Sequence, residues 1–180
     1  MVLLHSVPIP LGSPLPNFQL KNTDEKMYTP EDFTHAKVLV IVFTCNHCPY
    51  AQAVEKRLLE FHKKYAGKNV QLVCINANDA ENYPDDSFEN MQKKKYPFPY
   101  LYDGTQNVAR IFQAQCTPDI YLYDENQKLA YHGRFDDNWQ DETAVTTHDL
   151  EDAVKSLLAG KKPNADQKPS MGCSIKWKDL

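Results

Sequence analysis

The segment Lys37-Val38-Leu39-Val40-Ile41-Val42-Phe43-Thr44-Cys45-Asn46-His47-Cys48-Pro49 decides the fold. Its first seven residues form a continuous run rich in β-branched side chains, which predicts a strand buried on both faces in the middle of an α/β sheet. Beyond the two cysteines, apolar residues recur at three- and four-residue spacing in Val54, Leu58, Phe61 and Tyr65. This spacing predicts an amphipathic helix to about Ala66, which Gly67 ends. The cysteines therefore lie where a buried strand passes into a helix.

The flanking sequence extends this unit to a complete domain. Patterned segments predict, in order, a second buried strand, a shorter helix, a β-hairpin and a closing helix capped by Thr147: residues 70–76, 87–95, 119–134 and 147–158. The resulting order, β-α-β-α-β-β-α, predicts an α/β fold with a mixed central sheet and helices on both faces. We expect a domain over residues 1–160 that begins with an extension, and a C-terminal tail over residues 161–180 that docks on it.

The length, composition and net charge of the chain limit the classes of function that it can have. The chain has 180 residues, of which 42% are hydrophobic and 24% charged, so we expect one globular domain. The formal net charge is −4, and the last 20 residues hold five lysines against two acids, so the rest of the chain is more acidic still. An acidic domain lacks the basic surface that nucleic-acid binding needs.

The sequence shows no targeting segment, and this bears on the cellular compartment that we expect for the protein. The sequence has no run of 18 apolar residues, which predicts no membrane span, and residues 1–8 lack the basic region of a secretory signal. We therefore expect a cytoplasmic protein. Its five cysteines are an odd number. In a reducing compartment a close pair is more often catalytic or metal-binding than structural.

The motif Cys45-Asn46-His47-Cys48 carries the chemistry. Two cysteines three apart on a first helical turn face one side and come close enough for a disulfide. The free N–H groups and positive helix end are expected to stabilise a Cys45 thiolate, and a protonated His47 would add to this. The favoured interpretation is a redox dithiol in which Cys45 attacks and Cys48 resolves. The alternatives are two inert thiols or half of a zinc site, although zinc needs four ligands and no second Cys-x-x-Cys is present.

The chain resembles the thioredoxin-like superfamily, and within it the small peroxiredoxin-like, AhpC/TSA-related proteins that carry a Cys-x-x-Cys. The resemblance covers nearly the whole chain and rests on five segments in order: residues 15–20, 43–50, 116–119, 133–138 and 169–177. It implies a thioredoxin-like fold and a cis bond at Thr117–Pro118 packed against the cysteine pair. A cis proline there leaves the preceding backbone free to pair with an extended substrate strand.

Three positions qualify the resemblance. Peroxiredoxins have Thr or Ser three residues before the peroxidatic cysteine, where this chain has Cys45, so peroxidase activity does not carry over. Thioredoxins have a buried Asp six residues before the first cysteine, where this chain has Leu39, so the usual proton acceptor is missing. His47 is shared with the oxidising members of the superfamily. We therefore expect a redox potential of about −200 to −250 mV, between thioredoxin and disulfide isomerase.

Three further cysteines and one arginine are considered for redox or substrate-selecting roles. Cys74 lies inside an apolar strand and is interpreted as a small buried hydrophobe. Cys116 precedes the proline, where it either packs or acts as a third redox thiol. Cys173 lies in the tail, which we expect to fold back so that Cys173 pairs with another cysteine, Cys116 being the nearest candidate. Arg134 is either half of an internal ion pair or part of a rim that selects the substrate.

The leading hypothesis is a thiol–disulfide oxidoreductase that uses Cys45, His47 and Cys48, with Thr117 and Pro118 as a backbone groove for substrate. It needs no organic cofactor and no metal, and its electrons would come from a thioredoxin- or glutathione-type dithiol partner. The second hypothesis is a peroxide-reducing antioxidant protein that works through a cysteine sulfenic acid. The third is a metal-handling module in which Cys45, Cys48, His47 and Cys173 hold zinc or copper(I).

Overall fold

The computed structural model describes residues 2–178. Ten strands are described: β1 Leu3–His5, β2 Leu20–Asn22, β3 Met27–Tyr28, β4 Val38–Phe43, β5 Val70–Asn76, β6 Tyr100–Tyr102, β7 Cys116–Thr117, β8 Asp119–Tyr123, β9 Leu129–Gly133 and β10 Met171–Ser174. Four α-helices are described within the same range: α1 Pro49–Tyr65, α2 Phe88–Lys94, α3 Asn107–Ile111 and α4 Asp149–Leu158. Short 3₁₀ turns cover Pro30–Phe33, Pro84–Asp86 and Glu142–Ala144.

The central sheet has seven strands in the order β3-β2-β6-β5-β4-β8-β9. β4 pairs in parallel with β5 and antiparallel with β8, and β5 pairs in parallel with β6. The six side chains of β4 are all buried, as its unbroken apolar run predicts for a strand covered on both faces. The predicted mixed sheet, β-hairpin and flanking helices are confirmed, and the fold is thioredoxin-like.

Two apolar layers pack against the sheet because successive side chains of a strand point to opposite faces. Leu39, Ile41 and Phe43 of β4 face a cluster that includes Phe112 and Tyr121. The alternate β4 residues face a second cluster under α1 and α4, made with Val54, Leu58, Phe61, Leu150 and Val154. Full burial of such a side chain stabilises the fold by about 1.5–3 kcal/mol, so this arrangement fixes the end of β4 firmly.

A second, three-stranded sheet joins the two ends of the chain in the order β1-β10-β7. The sequence analysis predicts neither β1 nor β10, because three or four residues are too few to show a strand period. The first strand of the central sheet along the chain, β2, begins at Leu20. The segment from residue 161 was expected to dock as a tail without secondary structure, and it contains β10.

Two helix starts also differ from expectation. α1 begins at Pro49, so the cysteine motif precedes the helix instead of forming its first turn. α4 begins at Asp149 after His148, and Thr147 instead donates its hydroxyl to the Asp149 carboxylate. Within residues 2–178, no helix is both long and apolar enough to cross a membrane.

Candidate active site

The two cysteines of the motif lie in the bend between β4 and α1, and Thr117 contacts both. Cys45 and Cys48 are 5% and 0% exposed. Cys45 Sγ lies 3.2 Å from Thr117 Oγ1, and Cys48 Sγ lies 3.3 Å from the Thr117 carbonyl oxygen. The Thr117–Pro118 peptide bond is cis. Four of the five residues in the main candidate set therefore meet at one point, where β4, α1 and β7 converge.

The electrostatics of the pair differ from the sequence-based expectation. Hydrogen bonding with Cys45 lowers the pKa of the Cys48 thiol to about 4, against the opposing effect of burial, and contacts with Cys173 and the Ala51 backbone N–H also lower it. The pKa of Cys45 is raised well above its usual value by the hydrogen bond with Cys48, by burial and by the charge of Asp86. These contacts favour a thiolate on Cys48, where the sequence favours one on Cys45. Because α1 begins at Pro49, its free N–H groups face Cys48.

Asp86 is the site residue that the sequence analysis missed. Its side chain is fully buried and accepts four hydrogen bonds: from Asn46 N (2.6 Å), His47 Nδ1 (2.5 Å), Asn76 Nδ2 (3.2 Å) and Asn78 Nδ2 (2.8 Å). It lies 38 residues after Cys48, in the polar stretch between β5 and α2. The polar Asn76 and Asn78 at the end of buried β5 are the signal that could have pointed to it. A buried carboxylate thus stands beside the pair although Leu39 occupies the thioredoxin position.

His47 contacts Asp86 and Tyr83. Its Nδ1 binds the Asp86 carboxylate, and its ring stacks on Tyr83 with a centroid distance of 5.2 Å and an interplanar angle of 16°. The described contacts of His47 thus hold the loop between the cysteines to the Pro84–Asp86 turn. His47 therefore helps to position the cysteine loop.

One group of metal-ligating atoms occurs in the site. Single ligand atoms of Cys45, His47 and Asp86 all lie within 4.8 Å of one another. Both oxygens of Asp86, however, already accept hydrogen bonds, and a structural zinc site uses four ligands. The set also differs from the one expected for a metal-handling module, which included Cys48 and Cys173.

The C-terminal segment brings a third thiol into the site. β10 pairs antiparallel with β7, so that Cys173 lies opposite Thr117 and Ser174 lies opposite Cys116. Cys173 is 2% exposed, packs with Cys45 and Cys48, and is hydrogen-bonded with Cys48 and with the Tyr50 backbone N–H. Burial raises the pKa of the Cys173 thiol to about 12, with a further contribution from Cys48.

Cys116 does not fit the expected pairing with Cys173. Neighbouring residues of a strand point to opposite faces, so the register puts Cys116 on the face opposite to Cys173. Its Sγ lies 3.6 Å from the Pro118 carbonyl oxygen, and burial raises the pKa of its thiol. Cys74 is likewise buried in β5, among apolar side chains, and burial raises the pKa of its thiol. All five cysteines are thiols in this structure.

A groove of about 320 Å³ lies beside the cis proline. Its lining includes Pro118, Phe135, Trp139, Met171 and Arg134. Arg134 also forms an ion pair with Asp149 (Nε to Oδ2, 3.2 Å) and donates to Thr147 Oγ1 at 3.1 Å. Arg134 is therefore half of an internal ion pair and also lines the groove, and its selection of a substrate stays a prediction.

A buried ion pair holds this groove against α1. Arg57 binds Asp136 and donates to the backbone carbonyls of Asn138 (3.0 Å) and Trp139 (2.7 Å). Trp139 then packs on Tyr50 at a centroid distance of 4.1 Å. Because Tyr50 belongs to the first turn of α1, the loop after β9 is tied to the helix end that follows Cys48.

Comparison with known proteins follows this geometry. The family model described as the AhpC/TSA family matches residues 11–132. The chain belongs to the AhpC/TSA family. This AhpC/TSA-family chain gives no match among curated proteins. Among solved structures it is similar to an uncharacterized conserved protein from Geobacillus kaustophilus, with 43% identity, coverage of 100% of this chain and 98% of that one, and a TM-score of 0.94.

Two further structures place this AhpC/TSA-family protein in the wider fold. A hypothetical protein from Sinorhizobium meliloti 1021 is 37% identical, with coverage of 98% and 99% and a TM-score of 0.93. A putative thiol:disulfide interchange protein DsbE from Chlorobium tepidum is 17% identical, with coverage of 85% of this chain and 98% of that one and a TM-score of 0.63. The last likeness shows a shared fold.

Proposed function

We propose that this protein is a thiol–disulfide oxidoreductase that works by dithiol–disulfide exchange through Cys45 and Cys48. The observation that carries the proposal is the packing of the two buried thiols against each other, with both sulfurs in contact with Thr117 beside the cis proline. Hydrogen bonding between the two thiols lowers the pKa of Cys48 and raises that of Cys45, which favours a thiolate and a thiol that share one proton. This is the state from which disulfide exchange begins.

The reduced pair supports a two-step exchange. The Cys48 thiolate attacks a substrate disulfide, forms a mixed disulfide and releases the first substrate sulfur as a thiolate. Cys45 then attacks Cys48 Sγ, releases the second substrate sulfur and leaves a Cys45–Cys48 disulfide, while its proton passes to a departing thiolate. Thr117 Oγ1, 3.2 Å from Cys45 Sγ, can hold the Cys45 proton or stabilise its thiolate. The order of attack is the reverse of the one expected from the sequence.

This chemistry indicates which class of electron donor the protein needs. A Cys45–Cys48 disulfide is reduced by two further exchanges with a dithiol or with two monothiols, so a thioredoxin- or glutathione-type partner suffices. No organic cofactor and no metal takes part in these steps. A cytoplasmic location, where such donors keep thiols reduced, remains a prediction.

Catalysed reduction of insulin disulfides by dithiothreitol tests the proposal. The wild-type protein should accelerate precipitation of the insulin B chain, and Cys48→Ser should reduce the rate to that of dithiothreitol alone. The double variant Cys45→Ser/Cys173→Ser, which leaves Cys48 without a neighbouring thiol, should accumulate a mixed disulfide at Cys48. Cys74→Ala, which removes a buried thiol outside the site, is the matched control and should retain the wild-type rate. Wild-type protein that gives no acceleration would contradict the proposal.

Peroxide reduction is the second candidate, favoured by the lowered pKa of Cys48, since a thiolate is also the species that peroxide oxidises. The residue three positions before Cys48 is nevertheless Cys45, and not the Thr or Ser of peroxiredoxins. The rate of thiol loss with hydrogen peroxide separates the two functions. We expect a rate close to that of free glutathione at the same thiolate concentration. A rate many orders of magnitude higher would favour the peroxidase.

A further inference from the structure

The C-terminal strand occupies the backbone edge next to the cysteine pair. β7 ends at the cis Thr117–Pro118 bond, and its edge is paired with β10 in this structure. An extended disulfide substrate would add to an exposed sheet edge by the same main-chain hydrogen bonds. Here residues 171–174 take that position, and Cys173 is the residue that faces Thr117. The chain thus presents its own cysteine as an extended substrate would.

The fit between the two strands is close. A Cβ atom added to Gly172 would lie 2.0 Å from the Thr117 carbonyl oxygen, a separation that real contacts do not allow. Glycine is therefore required for β10 to approach β7 beside the sulfur atoms.

The strand is also held at both ends. Ser170 Oγ donates to the Gly133 carbonyl at 2.6 Å, and Lys176 N donates to Asn78 Oδ1 at 2.8 Å. Asn78 in turn donates to Asp86, the carboxylate that fixes the cysteine loop. The strand and the cysteine loop are therefore anchored to the same buried network.

Two sulfur atoms share the N-terminus of α1. The Ala51 backbone N–H binds Cys48, the Tyr50 backbone N–H binds Cys173, and the two thiols are hydrogen-bonded with each other. α1 has 17 residues, so both sulfurs lie at the positive end of a long helix dipole. The helix end is therefore adjacent to both sulfurs, and Cys48 packs with both Cys45 and Cys173.

We propose that Cys173 is a third redox-active thiol that exchanges with Cys48, with β10 as a built-in substrate strand. This inference rests on the proposed function. When Cys45 and Cys48 form a disulfide, the Cys173 thiol loses its proton as its sulfur attacks Cys48 Sγ, and the Cys45–Cys48 bond breaks. Cys45 leaves as a thiolate and takes up the proton that Cys173 lost. The product is a Cys48–Cys173 disulfide, formed without any net oxidation, and the tail then carries one sulfur of the disulfide.

Disulfide mapping on Cys45→Ser tests the inference. The reduced full-length variant is equilibrated with oxidised glutathione, quenched in acid, alkylated and analysed by mass spectrometry without reduction. We expect an intrachain Cys48–Cys173 link in most molecules and a loss of two free thiols. The link should be absent after the further change Cys173→Ser and retained after the further change Cys74→Ala. Circular dichroism confirms that each variant is folded, and Cys45→Ala replaces any that is not.

The outcomes separate this inference from the proposed function. A Cys48–glutathione adduct with an unmodified Cys173 thiol in folded Cys45→Ser would overturn the inference, even if the wild-type protein reduces insulin. A Cys48–Cys173 link together with a wild-type protein that neither reduces insulin nor forms a Cys45–Cys48 disulfide would instead overturn the proposed function.

Discussion

Replacement of Asp86 by Asn should destabilise the fold and alter the cysteine pair together. The carboxylate accepts four hydrogen bonds at zero exposure, and a hydrogen bond to a charged group contributes about 1.5–3 kcal/mol. An asparagine keeps one acceptor oxygen but turns an NH₂ group toward donors such as His47 or Asn78. With about two bonds lost, we expect the free energy of unfolding to fall by about 3–5 kcal/mol. For a domain of this size that corresponds to a decrease in Tm of roughly 6–20 °C.

The same substitution removes a negative charge from the neighbourhood of Cys45. Since the charge of Asp86 raises the pKa of the Cys45 thiol, Asp86→Asn should lower that pKa. Urea unfolding and the pH dependence of Cys45 alkylation by iodoacetamide measure the two effects. Asp85→Asn is the matched control, because Asp85 is adjacent and exposed and should change neither. If Asp86→Asn alters stability no more than Asp85→Asn does, the role assigned to Asp86 is wrong.

The remaining predictions concern the thiolate, the tail and the ion pair. The rate of Cys48 alkylation should be half its maximal value near pH 4 and should not depend on pH between 6 and 8. A midpoint near the ordinary pKa of a cysteine thiol would contradict the contacts assigned to Cys48. Gly172→Ala should speed the reaction of the buried thiols with bulky reagents, because the added methyl group clashes with a backbone carbonyl; Ser174→Ala in the same strand should not. Asp136→Asn should lower the free energy of unfolding by about 3–5 kcal/mol in urea titrations, because the buried Arg57 loses its partner, and a change below about 1 kcal/mol would refute this.

The central elements could be predicted because their sequence patterns are long. The apolar run that became β4 and the periodic segment that became α1 each contain enough residues to show a period, and the hairpin of β8 and β9 is marked by a polar turn between apolar runs. Their contacts are dominated by burial of apolar surface, which a sequence records directly.

The details of the site depend on contacts that no local pattern contains. Asp86 reaches the cysteine loop from another element, and β10 pairs with β7 across 54 or more residues of chain. Because successive side chains of a strand point to opposite faces, the pairing register of β10 determines that Cys173 faces Cys48 and not Cys116. A pairing register cannot be predicted from a strand of four residues. The preference for a thiolate on Cys48 has a local cause, because α1 begins at Pro49 and its free N–H groups therefore face Cys48.

The central claim is tested most directly by equilibrating the protein with glutathione redox buffers and mapping its disulfides at each buffer potential. The account predicts a single two-electron transition in which Cys45 and Cys48 form a disulfide. A stabilised thiolate favours the reduced protein, so its potential should lie above that of thioredoxin, near −270 mV, and within about −200 to −250 mV. Failure of Cys45 and Cys48 to form a disulfide, or a potential below that of thioredoxin, would contradict the account.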